Sequence, residues 1–322
     1  MRAASRAAAA AALLAVLVVA LRPGEPVRVE IAERLSARQT AELLGRKRVI
    51  VSIPLFRIFL KATRFDRRLK PGTYTFRVHE WPTVVVRKLT LGLNDDRKIT
   101  IPEGFRASQI AERLAADGVA DAGAFKAYAK RRNLEGRLFP STYQFPSGYG
   151  AERAAGRMTE AFDREIGAAY SAANPKPWLG LEQTLILASI VEREAVLPAE
   201  RPIIAAAYLN RLKKHMPLQA DPTVQYALGY WKKGLTRDDL KTPSPYNTYL
   251  RAGLPPGPIC SPGLGSFLAA LKPADTRALY FVADTKGGHI FSETNEEQND
   301  ARRLRRQELN KIKRQAQKAE AR

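Results

Sequence analysis

The chain has 322 residues, 45% of them hydrophobic, which is enough for two or three small domains with cores of their own. Its formal charge of +21 is spread along most of the chain and points to a negatively charged partner or surface. Cys260 is the single cysteine, so an intrachain disulfide and a cysteine-based metal cluster are excluded, and His79, His215 and His289 are scattered without ligand spacing. No metal site and no cofactor is expected.

The N-terminus carries Arg2 and Arg6 and then runs uncharged from Ala7 to Leu21 before Arg22. That run is shorter than the roughly 20 residues of a full membrane span and has the length of a signal-peptide core. No convincing small-x-small cleavage site follows, which favours an uncleaved anchor with its arginines reaching out at both ends. Arg2 and Arg6 ahead of the run place the N-terminus in the cytoplasm and the body of the chain outside.

An internal repeat follows at an offset of 70. VEIAERLSARQTAELLGRKRV from Val29 aligns without gaps to ITIPEGFRASQIAERLAADGV from Ile99, matching Glu33 with Glu103, Ala37 with Ala107, Gln39 with Gln109, Ala41 with Ala111, Glu42 with Glu112, Leu44 with Leu114 and Val49 with Val119. Each copy predicts a short strand, an amphipathic helix and a second helical or turn segment, a duplicated small βα module. Shared helix composition accounts for part of the match. PGTYTFRV from Pro71 predicts a strand, and the Pro/Gly/Ser cluster at 146–150 predicts a domain boundary. Beyond it come an alanine-rich helix, a second helix through ASIVEREA and a third from Ile203 to Lys214. ALYFVADTKGGHIFSET then reads as a β-hairpin turning at Gly287-Gly288, followed by a long basic helix. The texture is mixed α+β, without a regular βα alternation.

There is no GxxxxGK[ST], no GxGxxG after a strand, no HExxH, no GxSxG and no SxxK, so nucleotide, zinc and serine-acyl chemistry lack sequence support. The informative feature is a carboxylate in an apolar segment. In a helix over Leu185 to Ala195, Leu187, Ile190, Val191 and Glu194 fall at i, i+3, i+4 and i+7, so Glu194 extends the apolar stripe. Glu192 faces the other way and is expected to be a solvated partner of Arg193 or a nearby lysine. For Glu194 two readings stand level. It is a salt-bridge partner of Arg201 or Arg211, or a carboxyl whose apolar wall raises its pKa until it holds a proton near neutral pH. Downstream, SPYNTYLRAGLPPGPICSPG is a Pro/Gly-stiffened loop carrying side chains suited to sugars.

LEGRLFPSTY, ASIVEREA, AAAYLNRLKKHMPLQADPTVQYALG, SPYNTY, GLPPGPICSPG and YFVADTKGGHIFS, in this order, resemble the endolytic murein transglycosylases of the YceG-like family over about Lys70 to Asn299. The resemblance implies an α+β protein: a membrane anchor over 1–22, a LysM-like region with the two related modules over 23–148, a catalytic domain over 149–300 and a basic C-terminal helix over 301–322. It implies cleavage of nascent peptidoglycan strands between N-acetylmuramic acid and N-acetylglucosamine, leaving 1,6-anhydro ends and stopping strand elongation. The enzyme would be a single-pass protein of the cell membrane with its body in the periplasm, near peptidoglycan synthases. The family's catalytic glutamate falls on Glu194, in agreement with the helical stripe. Asn210, Gln219, Asp221, Thr223, Tyr246, Asn247 and Tyr249 are the residues the resemblance assigns to the glycan cleft. Asp221, before Pro222, is equally suited to cap a helix.

The chain departs from the family pattern at Gln298, where a histidine is usual, at Ser141, where an acid is usual, and at Arg137, where a tyrosine is usual. Cys260 stands at a usually small position and is expected to be a buried packing thiol. Three other functions compete. The C-terminal segment from Ala301, with nine basic and two acidic residues, would bind any polyanion, but its helical spacing fits an anionic lipid or polymer better than nucleic acid, and a solvated helix better than either. A non-catalytic glycan-binding scaffold and a water-dependent muramidase are the remaining two. No nucleic-acid partner is expected.

Overall fold

The computed structural model describes residues 24–32, 35–174, 177–232 and 234–320. The expected anchor over 1–22 lies outside them, as does Glu33 of the repeat. Among the described residues no helix is long and apolar enough to cross a membrane.

In chain order the elements are β1 (Pro26–Ile31), α1 (Ala37–Arg46), α2 (Ile53–Ala62), β2 (Gly72–Arg77), α3 (Pro82–Leu91), β3 (Asp96–Thr100), α4 (Ala107–Ala116), α5 (Ala122–Arg131) and β4 (Thr142–Pro146). They are followed by α6 (Ala151–Phe162), which runs through a π-helical turn (Asp163–Gly167) into the short α7 (Ala168–Ser171). Then come α8 (Leu181–Glu194), α9 (Arg201–Lys213), α10 (Asp221–Leu228), α11 (Leu264–Leu271), the hairpin β5 (Tyr280–Ala283) and β6 (His289–Ser292), and α12 (Asn295–Glu320). The fold is mixed α+β. Among the described residues the strands pair two by two, as β1 with β2, β3 with β4 and β5 with β6.

The sequence repeat is visible in the elements. β1, α1, α2 and β2 recur as β3, α4, α5 and β4, so the repeating unit is βααβ and is longer than the strand and helices expected from the first alignment. The matched residues have physical reasons to match. Ala41, Leu44 and Val49 are fully buried, as are Ala111, Leu114 and Val119. Gln39 accepts from the Ser36 amide and Gln109 from the Arg106 amide, both at 2.9 Å, so each closes the N-terminus of its helix in the same way. The second strands also match, Pro71-x-Thr73-Tyr74-x-Phe76 against Pro140-x-Thr142-Tyr143-x-Phe145. In each, the tyrosine and phenylalanine two residues apart lie on one face of the strand and stack, with centroids 5.6 and 5.3 Å apart.

By its contacts the chain forms two compact units, one of residues 1–99 with 143–148, the other of residues 100–142 with 149–322. The Pro/Gly/Ser cluster at 146–150 was expected to be the boundary; instead the contacts assign residues 100–142 to the unit that also holds Glu194. In the first unit, Val29, Leu44, Phe56, Leu60, Tyr74 and Val85 share one core, with β1 and β2 antiparallel from Pro26↔Arg77 to Ile31↔Gly72. In the second, α8 is buried on all sides from Thr184 to Val191 and forms the core with α9 and α11. A helix so enclosed is apolar all round, which is why its few polar side chains matter.

Candidate active site

Glu194 is the last residue of α8, immediately beyond the buried stretch that ends at Val191. Leu187, Ile190 and Val191, the stripe it extends, are fully buried. Across from it α9 presents Tyr208, whose hydroxyl donates to Glu194 Oε1 at 2.8 Å. Burial drives the Glu194 carboxyl up to a pKa of about 7; the negative charge of Asp221 adds to the rise, while the Tyr208 hydrogen bond, Arg193 and Arg211 oppose it. Glu194 forms no ion pair with Arg201 or Arg211. Arg211 is instead spent on backbone carbonyls, with Nε donating to Leu279 at 2.6 Å and Nη1 to Leu218 at 2.7 Å. The protonatable-carboxyl reading of Glu194 is the one the geometry supports.

Glu192 corrects the sequence expectation. It is not solvated: its side chain is 7% exposed and lies 3.6 Å from Arg201 Nη2. Its Oε2 accepts from the Gly263 amide, at the N-terminus of α11, at 3.0 Å. The two glutamates thus differ, Glu192 joining α8 to α11 and Arg201, and Glu194 bonded to Tyr208 of α9. Ser189, one turn earlier, joins the same Pro/Gly loop: its Oγ accepts from the Ile259 amide at 3.1 Å and its carbonyl from Cys260 Sγ at 3.3 Å. Cys260 is fully buried and its thiol pKa is pushed well up by that burial, as a packing thiol requires.

The other expected cleft residues separate into two sets. Asp221 begins α10 and accepts from Tyr249 Oη at 2.5 Å; the Tyr249 hydroxyl is pushed up by burial and by the Asp221 and Glu194 charges, which places all three groups within electrostatic reach. Gln219 is exposed and held at φ 50° by its amide bonding to Thr248 O at 3.1 Å. Tyr246 packs on Tyr226, with centroids 4.7 Å apart. The remaining three hydrogen-bond within the fold. Asn210 Nδ2 donates to the carbonyls of Thr276 and Ala278 at 2.8 and 3.1 Å. Thr223 is buried, sharing a 2.9 Å hydrogen bond with Thr248. Asn247 is fully buried, and its Nδ2 donates to Leu240 and Thr242 carbonyls at 2.9 Å each.

Sequence reasoning missed Tyr208, the group nearest the carboxyl, and the packing that holds it. Phe281 of β5 meets the Tyr208 ring edge-on at 5.5 Å, and Gln298 Nε2 donates to Phe281 O at 3.1 Å. Gln298, the departure from the family histidine, is therefore a buried brace of the hairpin. Glu200, just before α9, holds the same hairpin by accepting from the His289 amide at 2.8 Å and pairing with His289 Nδ1 at 2.7 Å. Arg137 pairs with Glu182 and covers the Phe162 ring at 5.6 Å, and Ser141 is exposed, its carbonyl accepting from the Ile101 amide at 2.9 Å. Glu135 is a second buried carboxyl with a raised pKa, but Ala107 N and Tyr226 Oη both donate to it, at 3.0 and 3.2 Å, which marks it as structural.

The sequence profile of the YceG-like family matches residues 29–304. The chain belongs to the YceG-like family. An endolytic murein transglycosylase of Bacillus subtilis (strain 168) is 32% identical over 306 residues, covering 86% of this chain and 84% of that protein. One of Streptococcus pneumoniae serotype 2 is 28% identical, covering 85% of this chain and 57% of its own length. The crystal structure of a YceG-like protein from Listeria monocytogenes, 35% identical, matches with a TM-score of 0.56 over 86% of this chain and 99% of that one. Among the described residues of this YceG-like chain, Glu194 is the one carboxyl that combines a desolvated position, a single side-chain donor and a pKa of about 7.

Proposed function

We propose that this YceG-like protein is an endolytic transglycosylase of peptidoglycan in which Glu194 is both acid and base. The observation that carries this is the position of Glu194 at the end of a buried helix with Tyr208 as its side-chain donor: burial raises its pKa to about 7, so a large share of the molecules hold a proton to donate at neutral pH. Its proton passes to the oxygen leaving C1 of N-acetylmuramic acid as the C1–O bond breaks. The resulting carboxylate takes the proton of that sugar's own 6-hydroxyl, whose oxygen closes onto C1 to give the 1,6-anhydro ring. No water is consumed, and proximity within one sugar replaces an activated nucleophile. Tyr208 fixes Oε1 and leaves Oε2 for the substrate. The Asp221–Tyr249 pair lies within electrostatic reach, and the Asp221 charge helps keep the Glu194 proton in place.

The apolar run at the N-terminus, read as an anchor, holds the enzyme on the outer side of the cell membrane, where strands leave their synthases and an internal cut ends their growth. The βααβ elements are the LysM-like part. Mass spectrometry of products from uncrosslinked strands tests the reaction. Internal fragments ending in 1,6-anhydro-muramic acid, made by the wild type and lost in Glu194→Gln, establish it. Reducing ends carrying an added water identify a muramidase and turn attention to Asp221 as the base. Binding without cleavage identifies a scaffold.

A further inference from the structure

The helix α2 is apolar on both sides. Phe56 and Leu60 face the core at 2% and 1% exposure, whereas Val51, Leu55 and Ile58 are 67%, 68% and 65% exposed. The three exposed residues stand at i, i+4 and i+7, so they form one line along the helix and its entry turn. Three aligned aliphatic side chains two-thirds in water are a surface that needs a cover.

The charge around this line says what covers it. Residues 46–70 contain nine basic side chains and one acidic, Asp66. Arg57 and Lys61 run along one side of the line, roughly 90–130° from its centre at 100° per residue, and Arg48 lies at its start; none of the three forms an ion pair among the described residues. Beside the line, Phe59 from the same helix joins Phe65 and Val86 to line an apolar groove whose wall also carries Arg68 and Arg87. Aliphatic carbon bordered by guanidinium groups matches the layering of a membrane surface, acyl chain beneath phosphate. Basic groups held near an anionic leaflet add to the attraction of an apolar face for the membrane. The position along the chain agrees: the uncharged run Ala7–Leu21 ends only a few residues before β1 begins at Pro26.

We propose that this face, centred on Leu55 and Ile58, lies on the anionic lipid surface, so that the first βααβ unit is a membrane-bound foot and not a free linker to the catalytic unit. The proposal rests on the anchoring part of the function above and is independent of the reaction at Glu194.

The test uses the full chain reconstituted in vesicles of phosphatidylcholine with or without phosphatidylglycerol. A fluorophore is attached at Ile58→Cys, and at exposed Ser108→Cys as the control, the buried Cys260 being replaced by alanine in both. Lipids brominated in their acyl chains should quench the label at 58 several-fold more than the label at 108. The effect should weaken without phosphatidylglycerol and in high salt. A Leu55→Ser change, at an exposed position that leaves the core intact, should reduce it. A chain that floats with the vesicles but shows equal quenching at 58 and 108 overturns the proposal and leaves the anchor in place. A chain that floats with no vesicles overturns both. Protection of the label at 58 by soluble glycan strands and not by lipid would assign the face to sugar and equally overturn it.

Discussion

Tyr208 Oη donates a 2.8 Å hydrogen bond to Glu194 Oε1, joining the end of one core helix to the middle of the next. The bond favours the ionised carboxyl and so restrains a pKa that burial drives upward. Removing the donor with Tyr208→Phe should raise the Glu194 pKa further. Because the proposed reaction needs the protonated acid, the alkaline limb of kcat/KM, expected near pH 7 in the wild type, should move to higher pH while activity on the acid side persists. A limb that stays in place would mean that another group sets it.

The same displaced pKa makes a stability prediction. An acid raised from 4.5 to about 7 by folding binds more protons in the native state than in the unfolded chain across that interval. Stability contributed by the protonated form is therefore complete below about pH 4.5 and is lost as pH rises through about 7. The loss is at most about 3 kcal/mol, and less where solvent reaches the carboxyl. Glu194→Gln, which keeps the Tyr208 hydrogen bond and removes the charge, should thus be more stable than the wild type at pH 8 and equal to it near pH 4. Thermal unfolding at the two pH values decides this. An inactive variant of unchanged or higher stability would separate catalysis from folding.

Glu192, two residues away, should behave in the opposite way. It accepts from the Gly263 amide and faces Arg201 with 7% of its side chain exposed. Glu192→Ala leaves both partners short, with Arg201 retaining Glu103 at 3.5 Å. The expected cost is roughly 2–4 kcal/mol, read as a lower midpoint in urea at unchanged slope. Residual activity should follow the folded fraction, and the alkaline limb of the pH profile should not move. A shifted limb would put Glu192 in the chemistry.

How much of this was readable in the chain depends on how far apart the partners are. Glu194 was legible because a 3.6-residue period is a local property, and three buried neighbours on one stripe announce the fourth position. Glu192 was misread because its partners lie nine residues away at Arg201 and 71 residues away at Gly263, where no local pattern reaches. The first half of the repeat was legible through cap and core residues kept at an offset of 70. The second strand of the first copy was legible as a strand, but its match in the repeat was not, because Pro71 and Pro140 are offset by 69, one residue out of step with the helices. Tyr208 gave no signal of its own: in a helix buried without a break from Ile204 to Leu209, a tyrosine reads as core until the carboxylate opposite its hydroxyl is seen. Asn210, Thr223 and Asn247 show the converse. Their types suit sugar binding, yet backbone carbonyls and a neighbouring threonine already use their polar groups.

The last prediction concerns the stiffness of the loop that packs on α8. Gly136, in the LEGRLFPSTY stretch, has φ +79°, and a Cβ there would stand 2.5 Å from Pro258 Cβ and 2.6 Å from its Cγ. The first property penalises any L side chain, and the second cannot be relieved by rotating a flexible group, because a proline ring in a Pro/Gly loop has nowhere to turn. Pro258 is followed directly by Ile259 and Cys260, the residues that bond Ser189 of α8. Gly136→Ala should therefore cost roughly 2 kcal/mol or more and lower the melting temperature by several degrees. It should also shift Ile259 and Cys260 away from Ser189, so that the Cys260 thiol, inert to exposed-thiol reagents in the wild type, becomes reactive. A variant with unchanged melting temperature and an unreactive thiol would show that the loop absorbs the methyl group, and that its rigidity is not what holds α8 in place.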